Sequence, residues 1–251
     1  MAPARILVVN PNTTASMTAT IEACAAAAAG PGTTVRAVTP SMGPASIESH
    51  YDEALAVPGL LAEIARAEQE GSADGYVIAC FGDPGLDAAR ELARGPVVGI
   101  AEAAMRTAAY LGRGFSVVTT LDRTRGRAED LATHYGLARF CRRVRACEIG
   151  VLELEEPGAR EAVLAECRRA VAEDGSDAIV LGCAGMAELC REISAEIGVP
   201  VVDGVAAATR TVEMLVALGL RTGDRGEFAR PPAKPYTGLL RDFQVSPPII
   251  S

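Results

Sequence analysis

Two cysteines stand where a pair of thiols can exchange a proton with a carbon acid. Cys80 ends the run Asp74-Gly-Tyr-Val-Ile-Ala and opens the turn Phe81-Gly82-Asp83-Pro84-Gly85. Cys183 ends Asp177-Ala-Ile-Val-Leu-Gly and opens Ala184-Gly185-Met186. Each apolar run reads as a buried strand, and a helical pattern follows both turns. Open parallel sheets gather function just past the carboxyl ends of their strands. A thiolate and a thiol on opposite faces of one C–H bond are what cofactor-free inversion needs: one removes the proton, and the other returns it to the far face. An ordinary thiol pKa of about 8.5 needs only a modest shift to serve as a base near neutrality. A helix N-terminus after each cysteine is expected to supply that shift. Asp83 pushes the other way, so the sequence leaves open which cysteine rests as thiolate.

A lone strand-end cysteine usually packs as a small hydrophobe. Here the placement is doubled. Asp74, Val77, Cys80 and Gly82 recur at one offset as Asp177, Val180, Cys183 and Gly185. With one residue inserted, Pro96-Val-Val98 recurs as Pro200-Val-Val202 and Arg106-Thr107 as Arg210-Thr211. Self-similarity at so long a period implies two alike lobes about an approximate two-fold axis. That axis would bring the two thiols to opposite walls of one cleft.

The other five cysteines read as packing. Cys24, Cys167 and Cys190 lie in helical runs, and Cys141 and Cys147 open or flank a strand. No CxxC occurs, and His50 and His134 share no ligand spacing, so no metal is expected. Seven irregularly spaced cysteines read as reduced thiols, which suits the cytoplasm. Lys234, in a Pro-rich tail, is the only lysine, which leaves pyridoxal phosphate no plausible anchor. The nucleotide signatures GxGxxG and GxxxxGK[ST] and the G-x-S-x-G elbow are missing where they would count. A reaction without cofactor is the expectation.

The elements that must position these thiols follow from pattern. Strands are expected at 6–9, 33–38, 74–79, 97–100, 115–119, 144–149 and before Cys183, alternating with Ala-rich helices. Asp83-Pro84 reads as a cap and first position of the helix that follows Cys80. Residues 39–50 are too rich in Pro, Gly and Ser for a regular element. The expected fold is α/β, with two pseudo-symmetric lobes, each a mainly parallel sheet flanked by helices, and the site between them. Approximate lobes are 1–100 with 205–225, and 101–204; 226–251 is a tail. A chain of 251 residues with 49% hydrophobic content can bury a sizeable core. A net charge of -8, without basic runs longer than a pair such as Arg142-Arg143, argues against nucleic acid and anionic membranes. There is no signal-peptide pattern and no apolar stretch long enough to span a bilayer.

Three segments together resemble the hydantoin racemase family, within the wider aspartate/glutamate racemase superfamily. They are Ile-Leu-Val-Val-Asn10-Pro11-Asn12-Thr-Thr, Ala79-Cys80-Phe81-Gly82-Asp83-Pro84-Gly85 and Gly182-Cys183-Ala184-Gly185-Met186. The likeness covers nearly the whole chain. It implies Cys80 and Cys183 as the two bases, a small-molecule substrate and a homo-oligomer. Amino-acid racemases of the superfamily usually follow their cysteines with Asn-Thr or Thr-His. Phe81-Gly82 and Ala184-Gly185 stand here instead, leaving room and backbone N–H groups for a flat, uncharged ring. A 5-substituted hydantoin fits: its C5 proton lies beside a carbonyl whose enolate such donors stabilise. Gly182, Asn10, Asn12, Ser41, Glu48, Thr119 and Thr120 are the further expected substrate contacts, each otherwise a turn or cap residue. Asn10 and Thr119 occupy equivalent places in the two lobes. Allantoin as substrate, a decarboxylase or isomerase on the same scaffold, and a two-lobed binding protein remain open.

Overall fold

The computed structural model describes residues 4–154, 156–184 and 187–245. In the first half, β1 (Arg5–Val9), α1 (Ala15–Ala28), β2 (Thr34–Val38), α2 (His50–Glu70), β3 (Gly75–Ile78), α3 (Leu86–Leu92) and β4 (Val97–Gly99) build one sheet and its helices. After α4 (Ile100–Leu111) the second half repeats the plan. It consists of β5 (Phe115–Thr119), α5 (Arg125–His134), β6 (Cys141–Ala146), α6 (Ala159–Asp174), β7 (Ala178–Gly182), α7 (Ala187–Ile197), β8 (Val201–Val202) and α8 (Gly204–Ala217). The strand orders are β2-β1-β3-β4 and β6-β5-β7-β8, the same permutation twice. Every strand pairing is parallel. This is the two-lobed α/β fold the internal repeat implied.

Hydrophobic pattern explains which strands are central. β3, β5 and β7 are buried along their whole length, as strands covered by helices on both faces must be. β2 and β6 sit at sheet edges and accept polar positions such as Arg36 and Arg143. α4 leaves the first sheet and packs on β5, β7 and β8 of the second, while α8 packs on β1, β3 and β4 of the first; the two helices lie against each other. One core cluster accordingly runs through both lobes, from Leu60, Tyr76 and Ile78 to Met105, Phe115 and Val180. Burying side chains of that size contributes about 1.5–3 kcal/mol each, so the lobes are fastened by hydrophobic burial and not by a linker.

Several boundaries differ from the sequence reading. α2 starts at His50, within the stretch expected to be irregular, because Ser49 Oγ accepts the Asp52 N–H at 3.1 Å and caps it. β6 starts at Cys141, and α5 follows a 3-10 turn at Asp122–Thr124. Asp83-Pro84 does not open a helix. Asp83 is left-handed (φ 44°), and α3 begins only at Leu86 behind Gly85. Past α8 the chain runs along the first lobe, where Thr222 Oγ1 donates to Gly95 O at 2.7 Å. Among the described residues no helix is long and apolar enough to cross a membrane.

Candidate active site

Strand register delivers both thiols to one end of the molecule. Ala79 extends the β1–β3 ladder by donating to Val9 O at 2.9 Å, and Cys80 is the next residue. Thr119 pairs with Gly182 in the second sheet, and Cys183 is the next residue there. Both cysteines line one cleft of about 180 Å³ between the lobes. That is small beside the roughly 300–1,000 Å³ of drug-sized pockets and suits a single compact ring.

Of the expected contacts, Asn12, Glu48, Phe81, Gly82, Thr119, Thr120, Gly182 and Ala184 line this cleft. Two others lie elsewhere. Asn10 is fully buried behind it, donating to Asn12 Oδ1 at 2.9 Å and to Thr18 Oγ1 at 3.0 Å, so it fixes Asn12. Ser41 is exposed on the 39–49 loop: the segment that reaches the cleft is Ile47 to Ser49, drawn in by the cap of α2. Gly185 lies outside the described residues.

Sequence reasoning missed the charged wall. Glu53 on α2 and Arg127 on α5 both line the cleft, with Arg127 Nε 3.2 Å from Glu53 Oε1. Arg127 Nη2 also donates to the Gly82 carbonyl at 2.6 Å, which ties the turn after Cys80 to the second lobe. A side chain at Gly82 would meet Glu53 Oε1, only 2.3 Å from the Cβ position. Gly82 is therefore small because a carboxylate packs against its backbone. Glu48 makes a second link across the cleft, accepting the Val151 N–H at 2.8 Å. Met17, Ile47, Ser49, His50, Ala79, Arg123, Thr124 and Val151 also line the cleft and were not foreseen. The spacing of Glu53 on the helix, or of Arg123 and Arg127 one turn apart, would have placed them on single faces but not facing Cys80.

The thiols are not poised as the helix-terminus reading expected. Burial pushes Cys80 up to about 12; the Gly82 N–H hydrogen-bonded to its sulfur opposes this, and the charges of Glu53, Asp83 and Cys183 reinforce it. Burial likewise pushes Cys183 up to about 12, opposed by the Ala184 N–H and reinforced by Cys147, Asp203 and Glu48. The reason is distance. α3 starts six residues after Cys80 and α7 four after Cys183, so desolvation and nearby carboxylates outweigh any helix end. Glu53 is itself raised by burial, with Arg127 holding it down. Among the described residues no group of three or more His, Cys, Asp or Glu side chains is arranged to hold a metal ion.

The chain matches known proteins over most of its length. The family model described as Asp/Glu/Hydantoin racemase matches residues 6–212. A hydantoin racemase of Pseudomonas sp. (strain NS671) is 48% identical over 241 residues, covering 95% of this chain and 96% of that protein. One from Rhizobium meliloti is 49% identical over 235 residues, covering 93% and 97%. Among solved structures, allantoin racemase from Klebsiella pneumoniae superposes with a TM-score of 0.93 at 50% identity, covering 96% of this chain and 99% of that one. With the paired cysteine turns, the doubled sheet and these relatives, the chain belongs to the Asp/Glu/Hydantoin racemase family.

Proposed function

We propose that the protein racemises 5-substituted hydantoins without a cofactor, with Cys80 and Cys183 exchanging the C5 proton from opposite faces. The observation that carries this reading is the common cleft: both thiols line it, each within two residues of the end of a central strand. Identity near one half to hydantoin racemases supports the ring as substrate. Neutral Phe81, Gly82 and Ala184 beside the thiols suit an uncharged ring more than an amino acid. Proton removal requires one thiol to ionise; with both raised by burial, the second stays protonated and is ready to donate. In the reverse direction the roles exchange.

Allantoin, a hydantoin with a ureido group at C5, is the second reading. The allantoin racemase likeness favours it, and so do the polar lining residues Ser49, His50, Arg123 and Thr124, which offer partners to such a group. We extend the reading to a homo-oligomer in the cytoplasm. Two working thiols need a reducing compartment, and exposed Tyr110, Met214, Leu218 and Leu220 around the ends of α4 and α8 offer apolar surface.

The test uses methyl, isobutyl, benzyl and ureido hydantoins, each as a single enantiomer in D2O. Loss of optical rotation should accompany incorporation of one deuterium at C5. Cys80→Ser and Cys183→Ser should each slow inversion by at least about a hundredfold, the size of a lost general base. Inversion at wild-type rate in either variant would sink the two-base scheme. Carbon dioxide release from a 5-carboxyl substrate, with no inversion, would favour the decarboxylase alternative.

A further inference from the structure

The two halves cap their crossing helices differently, and the difference ties Cys80 to the opposite lobe. α8 is capped by its own preceding residue: Asp203 Oδ1 accepts the Ala206 N–H at 2.7 Å. The repeat puts Gly99 at the corresponding place before α4, and Gly99 has no side chain to offer. The missing carboxylate comes from Asp83, three residues after Cys80. Asp83 Oδ1 accepts the Ala101 N–H at 3.0 Å and Oδ2 the Glu102 N–H at 2.9 Å. It occupies the space a side chain at 99 would take, with Cγ 2.2 Å from the Cβ position there.

The same carboxylate reaches the second lobe. Tyr135, closing α5, donates its hydroxyl to Asp83 Oδ2 at 2.6 Å in a buried contact. Asp83 also returns to the cysteine, its N–H donating to Cys80 O at 3.0 Å. Its backbone is left-handed, unusual for a residue with a Cβ, and these bonds surround and hold it. Burial pushes the Asp83 carboxyl up to about 6, with the Tyr135 hydroxyl and the two amides holding it down. Neither Asp83 nor Tyr135 lines the cleft.

We propose that Asp83 and Tyr135 are positioning residues that set Cys80 at its working place relative to Cys183, through a three-part junction of the Cys80 turn, the α4 N-terminus and the end of α5. α4 is seated on the strands that carry Thr119 and Cys183, so the junction refers one thiol's backbone to the other thiol's sheet. A closer cap, Asp at 99 as at 203, would leave the Cys80 turn free of that reference. The proposal rests on the two-cysteine reading above.

Two variants and two readouts test it. Tyr135→Phe keeps the buried ring and removes only the hydroxyl, so it tests the junction even if Asp83→Asn fails to fold. In Tyr135→Phe, kcat for a 5-substituted hydantoin should fall about tenfold with KM within about twofold, the signature of a misplaced reacting group and not of lost binding. The second readout is iodoacetamide alkylation of Cys80 and Cys183 against pH, resolved by peptide mass. The groups facing Cys80 are Glu53 from α2, Asp83 from its own turn and Cys183 across the cleft, with Arg127 of α5 against Glu53. Asp83→Asn removes one negative charge, so the Cys80 midpoint should move to lower pH while that of Cys183 stays. Wild-type kcat in Tyr135→Phe, or equal movement of both alkylation profiles in Asp83→Asn, would overturn the proposal. Alkylation needs no substrate. Tyr135→Phe changes no charge beside the thiol, so a protein inert toward hydantoins in which that variant still alters alkylation of Cys80 and not of Cys183 would overturn the assigned reaction and leave the junction standing.

Discussion

Gly82→Ala separates two reasons for a glycine beside the thiol. Room for substrate is the reason visible in sequence; room for Glu53 is the reason visible in the structure. The added methyl would lie 2.3 Å from Glu53 Oε1 and 3.1 Å from its Cδ, where ordinary contact begins at 3.4 Å. Glu53 cannot simply swing away, because Arg127 holds it at 3.2 Å while donating to the Gly82 carbonyl. Gly82 has no positive φ, so alanine adds crowding without backbone strain. Overpacking of this kind costs about 1–3 kcal/mol. If that cost falls on the geometry of the Cys80 turn, kcat/KM drops roughly 5- to 150-fold, at about 1.4 kcal/mol per decade. Polarimetry on one hydantoin enantiomer measures it, and the double variant Glu53→Ala/Gly82→Ala decides its origin. Removing the carboxylate should restore at least about half of the lost free energy of activation, a coupling that a double-mutant cycle isolates. A double variant as slow as the product of the two single losses refutes the packing argument and returns Gly82 to the role of making space for the ring.

The raised thiols make two further predictions about pH. With Cys80 and Cys183 both near 12, the base is scarce at neutrality, so racemisation should climb steadily from pH 7 to 9.5 without an early plateau; a flat profile above pH 7 would contradict the assigned surroundings. Stability should run the other way. Below the ordinary thiol range the buried thiols are neutral in both folded and unfolded chains; above it the unfolded chain ionises first, so stability falls as pH rises toward 12. Melting temperature measured from pH 7.5 to 10.5 should decline, and less steeply in Cys80→Ser/Cys183→Ser. Arg145→Met tests the second lobe's edge. Arg145 Nε donates to Asp174 Oδ2 at 2.7 Å in a pair 5% and 3% exposed, so the change leaves a buried carboxylate with only the Ser116 hydroxyl, 2.9 Å from Oδ2, and the more distant Arg143. The expected loss is about 3 kcal/mol in urea unfolding; a loss under about 1 kcal/mol would mean that Arg143, 3.5 Å away, suffices.

Much of the architecture was legible because it was written twice. The offset carrying Asp74, Val77 and Cys80 onto Asp177, Val180 and Cys183 implied two like sheets, and the strand orders repeat accordingly. Continuous apolar runs marked the central strands, since burial on both faces leaves no polar alternation to confuse them. Helix starts were less legible. The first turn of α2 is polar, and its start depends on Ser49 meeting the Asp52 amide, which hydrophobic periodicity does not register.

Within the cleft, placement was readable for residues at strand ends and unreadable where contacts cross between lobes. Cys80, Cys183, Thr119 and Gly182 follow from counting along strands that must end together. Asn10 and Ser41 carry the right chemistry, yet one is turned inward to hold Asn12 and the other stays on the outer part of its loop. Glu53, Arg127 and the Asp83–Tyr135 bond join residues 74 and 52 positions apart, and no local pattern links them. The sequence by itself determined the doubled α/β plan, the two thiols and the absence of a lysine suited to a cofactor. Only the tertiary structure decided their acidity and their setting. Desolvation and the placement of carboxylates depend on which elements pack around a sulfur, and that is a property of the folded neighbourhood and not of the neighbouring residues in the chain.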